Sequence, residues 1–256
     1  MTDELVQERR GPILVLRLNR PAARNALTPR LLSDLGAAAV AAESDPEVRV
    51  IVLTGTGDRA FCAGMDLRSF SEGADMGLDD AGKVGYQRLI QGKLTLPVVG
   101  AANGTALGGG LELLLGCDVT VASAQARFGF PEVKRGLFPA GGGTFVGTRI
   151  PLAVALEMVL TGDLIDAARA HQVGLVNAVV AAEEVLATAL NLAERISENA
   201  PLGLAAAKEL VRLGVSDAAQ ATARMSEWQS TVFTSDDAKE GAMAFVEKRQ
   251  PVWKGR

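Results

Sequence analysis

The chain has 256 residues, enough for one large domain or one domain with a smaller appendage. Apolar residues make up 48% and charged residues 22%, which supports a sizeable core and excludes global disorder. The net charge of −4, without a long basic run, argues against nucleic acid as a partner.

The N-terminal "MTDELVQERR" is charged and lacks an apolar h-region, so it does not read as a secretory signal. "ILVLRL" at 13–18 reads as a strand. "NRPAARNALTPRLL" follows as a turn feeding a helix, with Thr28 as N-cap and Pro29 at the first helical position. "VRVIVLTG" at 48–55 is β-branched and apolar and reads as a buried strand, as do "PVVGAANG" at 97–104 and "CDVTVAS" at 117–123. Helical patterns lie between them, which favours an α/β fold. "GLDDAGKVG", at 77–85, is expected to be a mobile loop.

From about Gly141 the pattern turns helical, over 151–160, 167–172, 182–198, 202–213, 216–230 and 236–248. From Ala182 onward, Val185, Leu186, Ala189, Leu192, Ala193 and Ile196 form one apolar stripe. The last helix has Ser235 as cap, Asp236 and Asp237 in its first turn and Lys248 and Arg249 near its end, an order that complements the helix dipole, and Pro251 stops it. No stretch of about 18 apolar residues spans a membrane. Two cysteines, Cys62 and Cys117, in a leaderless chain fit a reducing compartment, and the expected location is the cytoplasm.

Several chemistries are excluded. One histidine, His171, and no C-x-x-C argue against zinc ligation, and no metal is expected. P-loop, G-x-G-x-x-G and G-x-S-x-G motifs are absent. Catalysis must then use carboxylates, backbone groups or both. In "GTALGGGLELLLG", 104–116, a single glutamate, Glu112, stands in an apolar run after three glycines. Glycines let a ligand approach the backbone closely, and the first amides of a helix offer positive potential to an oxygen gaining charge. Burial raises the pKa of such a carboxylate while the helix N-terminus lowers it. Taken alone, this stretch fits a dipole partner or capping-box glutamate better than a catalyst. Glu132 follows Pro131 in "FGFPEVKRGLFPAGGGT", 128–144, which brings a second glycine triplet opening a helix. "TGTGDRAFCAGMDL", 54–67, is a strand leaving into a glycine-bearing turn.

These stretches, in this order, together with "LNRPAARNAL", "LTGDLIDAARAHQVGLVN" and "DAKEGAMAFVEKRQPVW", resemble the enoyl-CoA hydratase (crotonase) family over nearly the whole chain. The resemblance implies an α/β fold, a crotonase-like spiral of ββα units over 1–195, with a C-terminal helical trimerisation region over 196–256. It implies an acyl-CoA thioester as substrate, no separate cofactor, no membrane partner, and a homotrimer or homohexamer. The thioester carbonyl would lie on the main-chain N–H groups of Met65 and Gly109. The family more often has a small residue where Met65 stands, so its side chain is expected to affect the pocket. Glu112 and Glu132 would form the acid–base pair of the hydratase branch. Contacts to coenzyme A are implied at Arg24, Ala26, Ala63, Asp66, Leu67, Arg68, Phe245 and Lys248, with Phe245 reaching in from a neighbouring subunit. Arg24 and Arg68 read as solvated surface charge equally well, and Asp66 reads better as a turn-stabilising residue than as a catalyst. Phe130, Leu137, Phe138 and Gly141 are expected to line an acyl pocket. The implied activity is enoyl-CoA hydratase; a Δ3-Δ2-enoyl-CoA isomerase, a specialised hydratase or dehydratase, and an idle acyl-CoA-binding protein are the alternatives.

Overall fold

In the computed structural model, residues 3–66 and 80–256 are described. Two sheets organise them. The larger has six strands: β1 (Leu5–Arg10), β2 (Ile13–Leu18), β3 (Val50–Gly55), β5 (Val98–Ala102), β7 (Val119–Ser123) and β10 (Ala178–Val180), in that order across the sheet. Only β1 runs antiparallel to its neighbour. The smaller sheet holds β4 (Ala60–Cys62), β6 (Thr105–Leu107), β8 (Arg127–Gly129) and β9 (Ile165–Asp166). From β3 to β8, consecutive strands therefore alternate between sheets. β3 leads to β4, β5 to β6 and β7 to β8, and a helix follows each pair: α2 (Asp80–Ile90), α3 (Gly109–Gly116) and α4 (Leu152–Thr161). This is the expected ββα repeat.

The parallel strands are buried on both faces, and alternation splits their side chains between two cores. Ile51 and Leu53 face a core that includes α1 (Pro29–Ser44), α2 and α3. Val50, Val52, Val99 and Val121 face the other way, onto Val185, Ala189, Leu190 and Ala193 of α6 (Val185–Ser197). The predicted stripe on this helix is thus the face that covers the sheet. Thr28 caps α1 by accepting from the Leu31 amide at 3.1 Å.

Residues 80–85, expected within a mobile loop, instead open α2; 77–79 lie outside the described residues. The glycines that suggested a loop permit close helix packing. A Cβ on Gly36 of α1 would fall 1.9 Å from the Gly82 carbonyl oxygen, and one on Gly85 would fall 2.1 Å from that of Gly36.

After α5 (Ala167–Gln172) and α6 come α7 (Pro201–Ser216), α8 (Ala218–Phe233) and α9 (Asp236–Glu247). Helix α7 is tied to the core by Lys208, which donates to the Leu96 carbonyl at 2.7 Å and pairs with Asp118 at 2.8 Å. Ser235 caps α9 by accepting from Ala238 at 3.0 Å. Asp237 does more than complement the dipole: its carboxylate accepts from the amides of Lys254 and Gly255, folding the C-terminal strand of chain back onto the helix. Lys248 lies beyond the helix as its left-handed C-cap. Cys62 and Cys117 are buried free thiols, and burial pushes the pKa of each up to about 12. No helix among the described residues is long and apolar enough to cross a membrane.

Candidate active site

Three parallel strands of the small sheet, β4, β6 and β8, end side by side. Each delivers one part of the expected site from its C-terminal end, the side where open parallel sheets present their ligands. β4 runs into Ala63–Met65, β6 into Gly108 and Gly109, and β8 into Phe130–Glu132. The Gly108 amide donates to the Gly129 carbonyl at 3.0 Å, which locks the second segment to the third.

The glycines are there because backbone passes against backbone. Gly108 has φ 50° and ψ −123°, a conformation that only glycine adopts without strain, and it is the N-cap of α3. Helix α3 therefore begins at Gly109, so the second and third glycines lie inside it. A Cβ on Gly110 would sit 2.2 Å from the Cys62 carbonyl oxygen, and one on Gly64 would sit 3.5 Å from the Gly109 nitrogen. Met65 and Gly109 are thereby held on adjoining stretches of main chain. Met65 forms a bridge with Leu27 that uses the Gly64 carbonyl and the Asp66 amide, so its own amide takes no part in the bridge. Its side chain packs partly buried against the main core.

Glu112 lies in the first turn of α3 and is 6% exposed. Its Oε1 accepts from the Gly143 amide at 2.9 Å. Burial raises its pKa most, and hydrogen bonds from the backbone of Gly143 and Gly141 oppose that rise. The opposing amides come from the second glycine triplet, across the site, and not from the helix that carries the glutamate. This explains the triplet: a Cβ on Gly141 would fall 2.4 Å from Glu112 Oε2. The triplet opens a 3-10 turn, Gly143–Thr148, and not an α-helix.

Glu132 lies in the 3-10 turn Pro131–Arg135. A Cβ on Gly108 would come within 2.7 Å of its Oε1, and one on Gly109 within 3.8 Å of Glu112 Oε2. The two carboxyls thus flank one dipeptide, Gly108–Gly109. Burial is again the largest influence raising the Glu132 pKa; its own backbone hydrogen bond lowers it, and the Glu112 charge raises it further. Its Oε2 is buried without a hydrogen-bond partner among the described residues. An unsatisfied buried carboxyl oxygen costs free energy, more when charged than when protonated, until a ligand satisfies it.

The segment 20–27 packs beside these strands. Arg24 is exposed with φ 53°, and its carbonyl accepts from the Ala63 amide at 3.0 Å. Arg20 donates to the Ala26 carbonyl at 2.6 Å and pairs with Asp66 at 3.1 Å, so Asp66 holds the turn. Asn25, which sequence reasoning passed over, is the anchor: fully buried at φ 55°, it accepts from the Arg20 amide and donates to the Thr56 and Ala60 carbonyls. Asparagine's tolerance of left-handed backbone was the signal available in "RNAL". Arg24, Ala26, Ala63, Met65 and Asp66 are therefore brought together. Leu67 and Arg68 lie outside the described residues. Phe245, 86% exposed, lies on α9, and Lys248 is the C-cap of that helix.

A cavity of about 1110 Å³ meets the site at Gly141 and Gly142, with Leu32, Tyr86, Ile90 and Leu115 in its walls. Of the four residues expected around an acyl group, Gly141 lines it. Phe130 is instead fully buried beneath Gly143, where a Cβ would fall 2.5 Å from its ring. Leu137 and Phe138 are 40% and 65% exposed and lie outside this cavity's walls.

Comparison with known proteins gives consistent results. A family model described as enoyl-CoA hydratase/isomerase matches residues 8–256. The carnitinyl-CoA dehydratase of Proteus mirabilis (strain HI4320) is 38% identical over 266 residues, covering 100% of both chains. Among solved structures, an enoyl-CoA hydratase from Mycobacterium tuberculosis H37Rv is 40% identical with a TM-score of 0.91, covering 99% of each chain. A carnitinyl-CoA hydratase from Mycobacterium avium is 43% identical with a TM-score of 0.79, covering 100% of each.

The raised pKa of Glu112 predicts a pH signature. A carboxyl whose folded pKa exceeds its unfolded value binds its proton more tightly when folded, so its contribution is full below the unfolded value and is lost as pH rises through the folded one. Urea unfolding of the wild type between pH 4 and 8 should carry this downward contribution with rising pH, and Glu112→Gln should remove it. Identical pH slopes for the two proteins would contradict the assignment.

Proposed function

The chain belongs to the enoyl-CoA hydratase/isomerase family, and within it we propose that this enzyme adds water across the double bond of a trans-2-enoyl-CoA to give the 3-hydroxyacyl-CoA. The observation that carries the reading is the pair of carboxyls, buried Glu112 and half-buried Glu132, on either side of Gly108–Gly109, with the Met65 and Gly109 amides on the adjoining main chain. Relatives named for hydration and for dehydration support a lyase-type activity, since one site catalyses both directions of a reversible addition.

In this mechanism the thioester carbonyl rests on the amides of Met65 and Gly109. Each donor contributes about 3 kcal/mol as the oxygen gains enolate charge. Glu112 holds and deprotonates the water that attacks C3. Glu132 delivers a proton to C2. Burial and the nearby Glu112 charge both raise its pKa, the direction that suits a proton donor. The water's hydroxyl ends on C3 and the Glu132 proton on C2; the proton taken up by Glu112 restores the pair by exchange. The two titrate as a coupled system, so the pH–rate profile belongs to the pair. Arg24, Ala26, Ala63 and Asp66 form the segment proposed to hold the nucleotide part of coenzyme A. Leu67, Arg68, Lys248 and Phe245 complete that proposal, Phe245 from a neighbouring subunit.

A homotrimer or homohexamer in the cytoplasm is part of the same reading. The exposed apolar side chains of Phe233, Phe245 and Val246 on α8 and α9 support an oligomer. Light scattering should give three or six times the chain mass; a monomer at all concentrations would contradict it.

Incubation with crotonyl-CoA should deplete the absorbance of the conjugated enoyl thioester. Glu112→Gln and Glu132→Gln should each lower kcat by about 10²- to 10⁴-fold, the usual worth of a positioned acid or base. Full activity in either variant would overturn the acid–base assignment. Isomerisation of a 3-enoyl-CoA without hydration would favour the isomerase alternative.

A further inference from the structure

Both donors assigned to the thioester carbonyl are main-chain amides, so the path of the chain must set their separation. Gly109 is held as the first residue of α3. Met65 lies beyond β4, and β4 has little support of its own. It has three residues and stands at the edge of the small sheet. Its register with β6 shifts between Ala60 and Cys62. The contact of Gly110 with the Cys62 carbonyl limits how near β4 can come to α3, but a steric stop does not draw the two together.

Hydrogen bonds to the segment 24–27 do that. The Arg24 carbonyl accepts from the Ala63 amide at 3.0 Å. The Leu27 amide donates to the Gly64 carbonyl at 2.8 Å, and the Leu27 carbonyl accepts from the Asp66 amide at 2.9 Å. Met65 is thus bracketed by its two neighbours. The Leu27 side chain, fully buried, reaches the other donor: a Cβ on Gly109 would fall 3.0 Å from its Cδ1. Leu27 therefore spans the two amides, by main chain around Met65 and by side chain to Gly109.

The position of Leu27 is set two residues earlier. Asn25 Oδ1 accepts from the Arg20 amide at 3.0 Å, and its Nδ2 donates to the carbonyls of Thr56 at 3.0 Å and Ala60 at 2.9 Å. Ala60 is the first residue of β4. Its carbonyl also takes a longer bond, 3.4 Å, from Asn103 Nδ2. Asn103 further donates to the Gly57 carbonyl at 2.7 Å and accepts from the Gly55 amide at 3.0 Å. Gly55 makes room for both side chains: a Cβ there would fall 2.7 Å from Asn25 Nδ2 and 3.0 Å from Asn103 Oδ1. Two side-chain amides thus hold the turn between β3 and β4, and Asn25 ties that turn to 24–27. The task needs two donors and an acceptor on one short side chain. It also needs tolerance of φ 55°, which asparagine has.

Resting on the reading that the thioester carbonyl lies on Met65 and Gly109, we propose that Asn25, with Asn103 in support, is a positioning residue of the reaction. It holds the Met65 amide where it converges with that of Gly109 on one oxygen. It acts through the main chain and does not touch the reacting atoms.

Difference infrared spectroscopy of hexanoyl-CoA labelled with carbon-13 at C1, bound at saturation to the full-length protein, tests this. This saturated thioester has no double bond to hydrate, so the spectrum reads the donors alone. The wild type should lower the carbonyl frequency relative to water. Asn25→Gly keeps the left-handed backbone and removes all three side-chain bonds; Asn25→Asp keeps the shape and the acceptor and removes both donors. Each should lose most of the wild-type shift. Each should also lower kcat on saturating crotonyl-CoA by about 100-fold, the cost of a misplacement of about 1 Å. An Asn25 that served only the fold would lower the thermal unfolding midpoint and leave the shift and the saturated kcat intact, and that result would overturn the proposal. Should neither Asn25 variant fold, Asn103→Ala decides from a half-buried position: a smaller shift supports the proposal and an undiminished one overturns it. Absence of any shift in the wild type overturns the oxyanion reading and this proposal together. A wild-type shift that survives the substitutions overturns the positioning role alone.

Discussion

The structure depends on one close approach, that of the first turn of α3 to the ends of β4 and β8. No side chain fits between them. A Cβ at Gly110 would meet the Cys62 carbonyl, and one at Gly108 would meet the Glu132 carboxyl. Because the backbones touch, helix amides, a strand-end amide and two carboxyls occupy a space that side chains would otherwise fill. Close packing of this kind does not relax smoothly around an added methyl group, so the core fixes how the main chain at Gly64–Met65 lies against that at Gly109–Gly110.

The two carboxyls are made useful by opposite deficits. Glu112 is buried but partly compensated by the second glycine triplet. Glu132 is half-buried with one oxygen unsatisfied and a like charge nearby. Both pKa values rise, by different balances of the same forces. A pair pushed apart in environment can divide the roles of base and acid while sharing one substrate. The fixed amides add stabilisation that needs no reorganisation as charge develops.

Much of this was legible in the sequence. The long β-branched strands, the Thr28 and Ser235 caps and the α6 stripe declare themselves by periodicity and capping chemistry. So did the isolated Glu112, since a carboxylate in an apolar run needs a reason. The small sheet was not legible. Its strands have two or three residues each, too short for any alternation to register, yet they lead into Met65 and Gly109. The residues at 80–85 misled because Gly82 and Gly85 serve helix packing against Gly36, and glycine alone does not distinguish a loop from a tight crossing. Phe130 looked like a pocket residue from its place beside Glu132, but tertiary packing turned its ring beneath Gly143. The Gly143 amide that donates to Glu112 comes from 31 residues away, a pairing that no local pattern encodes.

The most direct test of the central claim is the carbonyl stretching frequency of a thioester labelled with carbon-13 at C1, bound to the Glu112→Gln/Glu132→Gln protein. With the acid–base pair silenced, the main-chain donors remain. The account predicts a clear shift to lower frequency relative to the thioester in water, from polarisation by the Met65 and Gly109 amides. An unshifted or raised frequency in the bound state would contradict it.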